Sequence, residues 1–121
     1  MLVHHLLVVN ARVNNPPTNP KLVDEWKTQL VKDIGMKILA GPYSLYHDMP
    51  GNRGLTSVTI IETSHIAMHV WDEDSPGHLR LDVYSCAEFD IDTIVKALEP
   101  FEPTYVDYKF LDRTGDDIVA S

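Results

Sequence analysis

The chain has 121 residues, of which 44% are hydrophobic and 23% are charged, a balance typical of a globular protein with a buried core. Its 18 acidic and 10 basic residues give a net charge of −8, which argues against nucleic acid as the main partner because a phosphate backbone would be repelled. One cysteine excludes an intrachain disulfide, and no apolar run approaches the roughly 20 residues that cross a bilayer. We therefore expect a single domain over residues 1–121, cytoplasmic and without a membrane partner.

The first part of the chain predicts a strand followed by a helix. Residues 2–13 are rich in Leu and Val and predict the strand. Asn19 before Pro20 is typical of a helix N-terminus, and Gly35 is a natural stop. The expected apolar stripe of this helix consists of Leu22, Val23, Trp26, Leu30 and Ile34.

The middle of the chain predicts a run of strands separated by turns. One strand begins at 36–40 and is expected to resume at 43–47, after a Gly-Pro pair. β-branched and alternating apolar residues then predict three further strands, over 55–63, 66–71 and 79–84.

A second helix and a last strand complete the predicted fold. Asp90 can cap the helix, and Pro100 limits it. Residues 104–111 predict the last strand, and the polar tail after Arg113 is expected to fray. Two helices among five or six mainly hairpin-connected strands predict an α+β two-layer sandwich, in which a mainly antiparallel sheet carries both helices on one face.

The segment 64–69 contains the candidate chemistry, including His65 and His69. On a helix these histidines would lie one turn apart, as metal ligands often do. The residues between them alternate between apolar and polar positions, which favours a strand and separates the two side chains by ~13 Å at ~3.3 Å per residue. We expect no metal site from this pair, although other loops could supply ligands. Glycine-rich phosphate loops and a Gly-x-Ser-x-Gly nucleophile elbow are both missing from the sequence.

These residues also allow a purely structural interpretation. The two histidines can be satisfied polar residues on a half-buried sheet, and Cys86 can be a small buried hydrophobic residue.

The order and spacing of four short stretches resemble the prokaryotic type of S-adenosylmethionine decarboxylase, a pyruvoyl-dependent family. Family members carry Glu-Ser-His, a second histidine four residues after the first, then Trp-Pro-Glu, and later a strand ending in Thr-Cys-Gly. The matching stretches here are Thr63-Ser64-His65, His69, Trp71-Asp72-Glu73 and Asp82-Val83-Tyr84-Ser85-Cys86-Ala87. A looser similarity extends over nearly the whole chain.

The resemblance implies a self-processing enzyme. In this family the precursor serine attacks the preceding carbonyl, the chain is cut, and the serine becomes an N-terminal pyruvoyl group. That group takes up the substrate amine and accepts electrons as carbon dioxide leaves. The resemblance therefore implies decarboxylation of S-adenosylmethionine in polyamine synthesis, with a small-molecule amino-acid substrate and a homodimeric assembly.

The roles of individual residues follow from their matched positions. Ser64 is the implied pyruvoyl precursor, His69 the proton carrier in processing, and Cys86 the acid that reprotonates the product carbon. Thr56 matches a serine hydroxyl that supports processing, and Thr63 supplies the carbonyl that is attacked.

The implied substrate site contains Glu73, which matches the substrate-binding glutamate of the family, and His65. Two departures affect this site. No aromatic residue lies within 49–54, where family members stack on adenine, and Asp72 stands in place of a proline.

Thr63 is a third departure, because the family has a glutamate before the cut. A β-branched residue could disfavour the strained geometry that the cut requires. Two alternatives to the named activity stay open. One is decarboxylation of a smaller amino acid, ornithine or arginine, and the other is an unprocessed homologue that binds a small molecule or partner without catalysis.

Overall fold

The computed structural model describes residues 2–121, which form a seven-stranded sheet covered on one face by two α-helices. This confirms the predicted α+β two-layer sandwich with a mainly antiparallel sheet. The elements in chain order are β1 His5–Val13, α1 Pro20–Asp33, β2 Ile38–His47, β3 Gly54–Ile61, β4 Ser64–Trp71, β5 Gly77–Ser85, α2 Ile91–Lys96, a 3₁₀ turn Glu99–Phe101, β6 Pro103–Asp112 and β7 Val119–Ala120.

The strands lie in the order β2-β3-β4-β5-β1-β6-β7, and every neighbouring pair is antiparallel. Short connections join β2 through β5 as successive hairpins, which is the arrangement that antiparallel pairing permits. The first strand of the chain does not lie at an edge. It is inserted between β5 and β6, with Leu7 opposite Val83 on one side and Phe110 on the other.

The core lies between the sheet and the helices, because alternate residues of each strand point to the same face. In β4 the buried residues are Ile66, Met68 and Val70, and in β5 they include Leu79 and Leu81. Burial of each such side chain contributes about 2 kcal/mol to the stability of the fold. The opposite face, which we call the outer face of the sheet, carries the intervening residues.

Helix α1 begins and ends where the sequence predicts. The Asn19 side chain accepts a hydrogen bond from the N–H of Lys21, and Gly35 has a left-handed φ of 76°. The predicted stripe is wrong at Leu22, which is 60% exposed because it lies about 100° around the helix from Val23. The residues that α1 buries are Val23, Lys27, Leu30 and Val31.

Several strand boundaries differ from the prediction. The strand predicted over 55–63 ends at Ile61, and the next one begins at Ser64 rather than at 66, since a two-residue turn takes the positions between them. The expectation that the tail frays is wrong for Val119–Ala120, which pair with Leu111 and Asp112 at the end of β6. None of the helices in residues 2–121 has the length and apolar character of a membrane span.

Candidate active site

A tight turn joins β3 to β4 at the predicted cleavage point. Ile61 and Ser64 pair directly, so Glu62 and Thr63 form the whole turn. Ser64 has a φ of 145°, a conformation that residues with a side chain rarely adopt. Holding such a residue there costs on the order of 1–3 kcal/mol. The backbone is therefore strained at the residue whose hydroxyl is predicted to attack its own chain.

The carbonyl oxygen of Thr63 accepts a hydrogen bond from the backbone N–H of Cys86, with an N···O distance of 2.8 Å. Pairing of Ser64 with Ser85 brings Cys86 to this point, because Cys86 directly follows the last residue of β5. An N–H aimed at a carbonyl oxygen stabilises the negative charge that forms there when a nucleophile adds to the carbon. The turn thus combines the Ser64 hydroxyl with a polarised carbonyl on the preceding residue.

The side chains around this carbonyl are held by sulfur and backbone contacts. The Thr63 hydroxyl donates to the sulfur of Met36 at 2.6 Å, which gives the β-branched residue a defined place in the turn. The hydroxyl of the buried Ser85 bonds to the backbone of Ala87. Cys86 has a free, half-buried thiol. Thr63, Ser64 and Cys86 therefore come together at one end of β4.

His65 lies next to this cluster but on the outer face. It is exposed, and its ring packs edge-on against Tyr84 with a centroid distance of 5.7 Å. Its position leaves the imidazole accessible to a ligand from outside the sheet.

A second cluster lies at the other end of β4. The Thr56 hydroxyl and His69 Nδ1 are 3.1 Å apart, because the two residues face each other across β3 and β4. The His69 ring stacks on Trp71 with a centroid distance of 6.0 Å, and the Trp71 indole N–H donates to Asn52. These side chains line a cleft of about 320 Å³ that also includes His47.

The structure does not bring the two clusters together within one chain. Ser64 and His69 are five residue steps apart along a continuous strand, which corresponds to about 16 Å. His69 is therefore out of hydrogen-bonding range of Ser64 in its own chain, whereas Thr56 is within range of His69.

Glu73 binds the loop between β2 and β3. Its two carboxylate oxygens accept hydrogen bonds from the N–H groups of Gly51 and Arg53, both at 3.0 Å. These N–H groups, that of Gly51 first, lower the pKa of Glu73 because they stabilise the carboxylate. Asp72 beside it accepts a hydrogen bond from the Tyr46 hydroxyl at 2.7 Å, which raises the pKa of Tyr46 to about 12.

Sequence reasoning missed one unusual residue, Lys27. Its side chain is fully buried between α1 and the sheet, and its Nζ donates to the carbonyl oxygens of Ser57 and Ile66 at 2.8 and 2.7 Å. Burial lowers the pKa of Lys27 to about 7, and the nearby Asp24 opposes this shift in part. The helical period offered a signal, since position 27 is four residues after Val23 and lies on the same face.

Known proteins that resemble this chain are bacterial decarboxylase precursors. One is an S-adenosylmethionine decarboxylase proenzyme from Clostridium botulinum strain Langeland, 29% identical over 82 residues that make up 67% of this chain and 66% of the relative. Another, with the same name, is from Persephonella marina and is 29% identical over 85 residues, 69% of this chain and 59% of the relative. The chain thus spans slightly less than two thirds of the length of the relatives it matches.

The fold also matches a solved structure. The crystal structure of the adenosylmethionine decarboxylase from Aquifex aeolicus superposes with a TM-score of 0.70 over 94% of this chain and 92% of the other, at 19% sequence identity. The sequence model of the S-adenosylmethionine decarboxylase family matches residues 5–114, which include both clusters on β4. The chain therefore belongs to the S-adenosylmethionine decarboxylase family.

Proposed function

We propose that the chain is a self-processing decarboxylase of S-adenosylmethionine whose pyruvoyl group forms from Ser64. The observation that carries this proposal is the Thr63 carbonyl, which the N–H of Cys86 holds beside a strained Ser64. The relatives named above are proenzymes, that is, precursors that require processing.

In the processing reaction, the Ser64 hydroxyl oxygen adds to the carbonyl carbon of Thr63. The peptide C–N bond then breaks, an ester forms, and the hydroxyl proton passes to the amine. The N–H of Cys86 stabilises the oxyanion, and breaking the peptide bond releases the backbone strain at residue 64.

The chain is cut in the next step. Loss of a Cα proton and cleavage of the Cβ–O bond release Thr63 as a carboxylate. Hydrolysis then releases ammonia and leaves the pyruvoyl group at residue 64. The threonine at 63 is compatible with this chemistry, because only its main-chain carbonyl reacts and its side chain is held by Met36.

The pyruvoyl group supplies an electrophilic carbonyl that draws electrons from the bond to the departing carboxylate. This chain's own residues would bind the substrate and move the protons. The half-buried thiol of Cys86 follows the strand partner of Ser64, which suits the return of a proton to the product carbon. His65 is open to the substrate from the outer face, and Glu73 orders the loop that borders the His69 cleft.

We further propose that the active protein is a homodimer joined through the outer face of the sheet. The β2–β3 half of this face is apolar and exposed, with Leu39, Tyr43, Leu45, Val58 and Ile60 between 43% and 76% accessible. A surface of this kind is stabilised when a second apolar surface covers it.

A two-fold axis through the outer face would also join the two separated clusters. If the axis passes close to Ala67, near the middle of β4, the Ser64 end of one strand lies opposite His69 of the partner subunit, and the reverse holds for the second site. The small side chain of Ala67 leaves room for such an approach. The distance between Ser64 and His69 within one chain is what favours this arrangement.

The decisive experiment is the mass of the purified protein under denaturing conditions. We expect two fragments, residues 1–63 and 64–121, with a pyruvoyl group at the start of the second. Ser64→Ala should give one uncut chain, while Ser75→Ala, a change at an exposed serine in the β4–β5 loop, should be cut like the wild type. A wild-type chain that stays intact after long incubation would instead support the unprocessed, non-catalytic homologue.

The substrate needs its own measurement. The β2–β3 loop has no aromatic residue to stack on adenine, and this observation favours ornithine or arginine as a second candidate. Carbon dioxide release should be compared for S-adenosylmethionine, ornithine and arginine with the cut protein. Release from S-adenosylmethionine supports the proposal, and release from only the smaller amino acids overturns the named substrate.

A further inference from the structure

Two arginines line one cleft on the outer face of the sheet, away from the apolar half. Arg12 in β1 and Arg80 in β5 both border a cleft of about 380 Å³, together with His78 and Tyr105. The pairing of Arg12 with His78 makes Arg12 and Arg80 diagonal neighbours, with Cβ atoms about 7 Å apart. Both arginine side chains are half-buried on the outer face, whereas the side chain of Ala11, next to Arg12 in β1, points to the core.

Neither guanidinium has a carboxylate partner. Within residues 2–121 the ion pairs are those of His5, Arg53 and His78, and no acidic oxygen lies within 4.0 Å of Arg12 or Arg80. Among the lysines and arginines of residues 2–121, Arg53 alone forms an ion pair, so what distinguishes Arg12 and Arg80 is that they lie next to each other and are half-buried. Two neighbouring, partly desolvated cations repel each other unless an anion lies between them.

The two arginines keep free donors and defined positions. Nε and Nη2 of Arg12 donate to the carbonyl oxygen of Pro76 at 3.3 and 2.7 Å, which fixes this guanidinium and leaves Nη1 free. Arg80 uses only Nη1, which donates to the carbonyl oxygen of Leu79. Its Nε and Nη2 remain available as a fork, the geometry that matches two oxygens of a carboxylate or phosphate group.

Four acidic groups lie nearby, Glu73, Asp74, Asp82 and Asp107, and none of them forms an ion pair with these donors. Asp74 is bonded to His78 at 2.9 Å, and Asp107 lies in β6 opposite Asn10, next to the cleft but not in its lining. Tyr105 lies opposite Arg12 and adds a hydroxyl donor.

We propose that Arg12 and Arg80 bind a compact oxyanion, a carboxylate or phosphate group, in this cleft. The inference does not depend on self-processing, because neither Ser64 nor Cys86 lines the cleft. Arg80 pairs with His69 across β5 and β4, so in the proposed homodimer the cleft lies on the face that the partner covers. A phosphate group has more oxygens with which to engage the Arg80 fork and the free Nη1 of Arg12 together, so phosphate should bind more tightly than acetate if the ligand is a phosphate ester. Acetate should bind at least as well if the natural group is a carboxylate.

The test is calorimetric titration of the full chain with inorganic phosphate and, separately, with acetate, at constant ionic strength. We expect saturable binding of at least one anion, weakened tenfold or more by Arg80→Gln, which removes a side chain with no structural partner other than its own neighbouring carbonyl. Arg113→Gln removes the same charge elsewhere and should change the affinity less than twofold. Absence of saturable binding of either anion, or Arg80→Gln binding like the wild type, would overturn the proposal.

A second variant distinguishes the loss of the binding site from misfolding. Arg12→Gln should also weaken binding tenfold or more, and its circular dichroism spectrum should match that of the wild type. Arg80→Gln decides the question alone if loss of the Pro76 contact unfolds the Arg12 variant.

Discussion

At the scale of single residues, Ser64 and Lys27 each lower the stability of the folded chain, and the surrounding fold must offset this cost. Ser64 is held at a φ of 145° by its pairing with Ile61 on one side and Ser85 on the other. Lys27 has an ammonium group with no exposed surface, stabilised by two carbonyl oxygens. Both costs can be measured because each can be removed by one substitution.

The strain at Ser64 predicts which of two variants at this position is the more stable. Ser64→Gly and Ser64→Ala both lack the hydroxyl and should both stay uncut, so their stabilities can be compared directly. The glycine variant should be more stable by about 1 kcal/mol in urea unfolding, because only glycine adopts a positive φ without strain. In an ordinary strand, glycine lowers the free energy of unfolding by a similar amount relative to alanine. A glycine variant less stable than the alanine variant would therefore show that Ser64 is not strained.

The depressed pKa of Lys27, about 7 against an ordinary value of 10.5, predicts a pH-dependent stability. Between these two values the unfolded chain binds a proton that the folded chain does not, so the free energy of unfolding should rise with pH, by up to about 1.4 kcal/mol per pH unit. Lys27→Met should remove this contribution, and replacing the buried cation by an apolar side chain of similar length should stabilise the protein near pH 7.

Urea unfolding of wild type and Lys27→Met at pH 7, 8, 9 and 10 tests this. Lys32→Met, on the exposed side of the same helix, should follow the wild-type pH curve. Parallel curves for wild type and Lys27→Met would show that the Lys27 pKa is not depressed.

At the scale of elements, β3 and β4 approach each other closely at Gly54, which pairs with Trp71 next to the His69 cleft. A Cβ atom at this position would overlap the carbonyl group of Val70. Both neighbours are backbone, so the strands themselves would have to move.

Gly54→Ala should therefore destabilise the protein by about 3 kcal/mol in denaturant unfolding. Gly115→Ala is the matched control, because a Cβ there meets no atom within 4 Å, and it should have little effect. Equal stability of the two variants would mean that the close approach of the strands at Gly54 is absent.

The elements that the sequence predicted best are those with strong local signals. The Asn19-Pro20 start of α1 was predicted because capping depends on neighbouring residues alone. The start of β4 at Ser64 was not predicted, because it depends on a strained pairing that no residue preference encodes. The helical period places Lys27 on the buried face, but the carbonyl groups that satisfy a buried lysine there, those of Ser57 and Ile66, are distant in the chain and have no sequence signal.

The site shows the same division. Motif spacing singled out Ser64 and Cys86, which lie side by side, yet the N–H that reaches the Thr63 carbonyl belongs to the backbone and has no sequence signature. Motif spacing also grouped His69 with them, although the straight course of β4 separates it from Ser64.

At the scale of the whole molecule, a shared site in a homodimer predicts complementation between two defective chains. Ser64→Ala and His69→Ala should each stay uncut when expressed alone. In a mixed dimer, Ser64 of the His69→Ala chain meets His69 of the partner subunit, so this chain should be cut while the Ser64→Ala chain remains intact.

Co-expression of the two variants with different affinity tags, followed by mass analysis of the mixed dimer, gives the readout. The two-fold arrangement is contradicted if the His69→Ala chain stays whole in the mixed dimer. It is contradicted equally if that chain is cut when it is expressed alone.

The insertion of β1 between β5 and β6 has a consequence for what a cut at the β3–β4 turn would do. Cleavage after Thr63 would assign β1, β2 and β3 to one fragment and β4 to β7 to the other. The two sets of strands are interleaved, since β3 borders β4 while β1 has a strand of the second fragment on each side. The fragments would therefore be interlocked, and neither could dissociate without breaking the pairings of β1 with β5 and β6 and of β3 with β4. Such a protein can lose the bond between Thr63 and Ser64 and still behave as one body, with the new chain end at Ser64 held between β3 and β5.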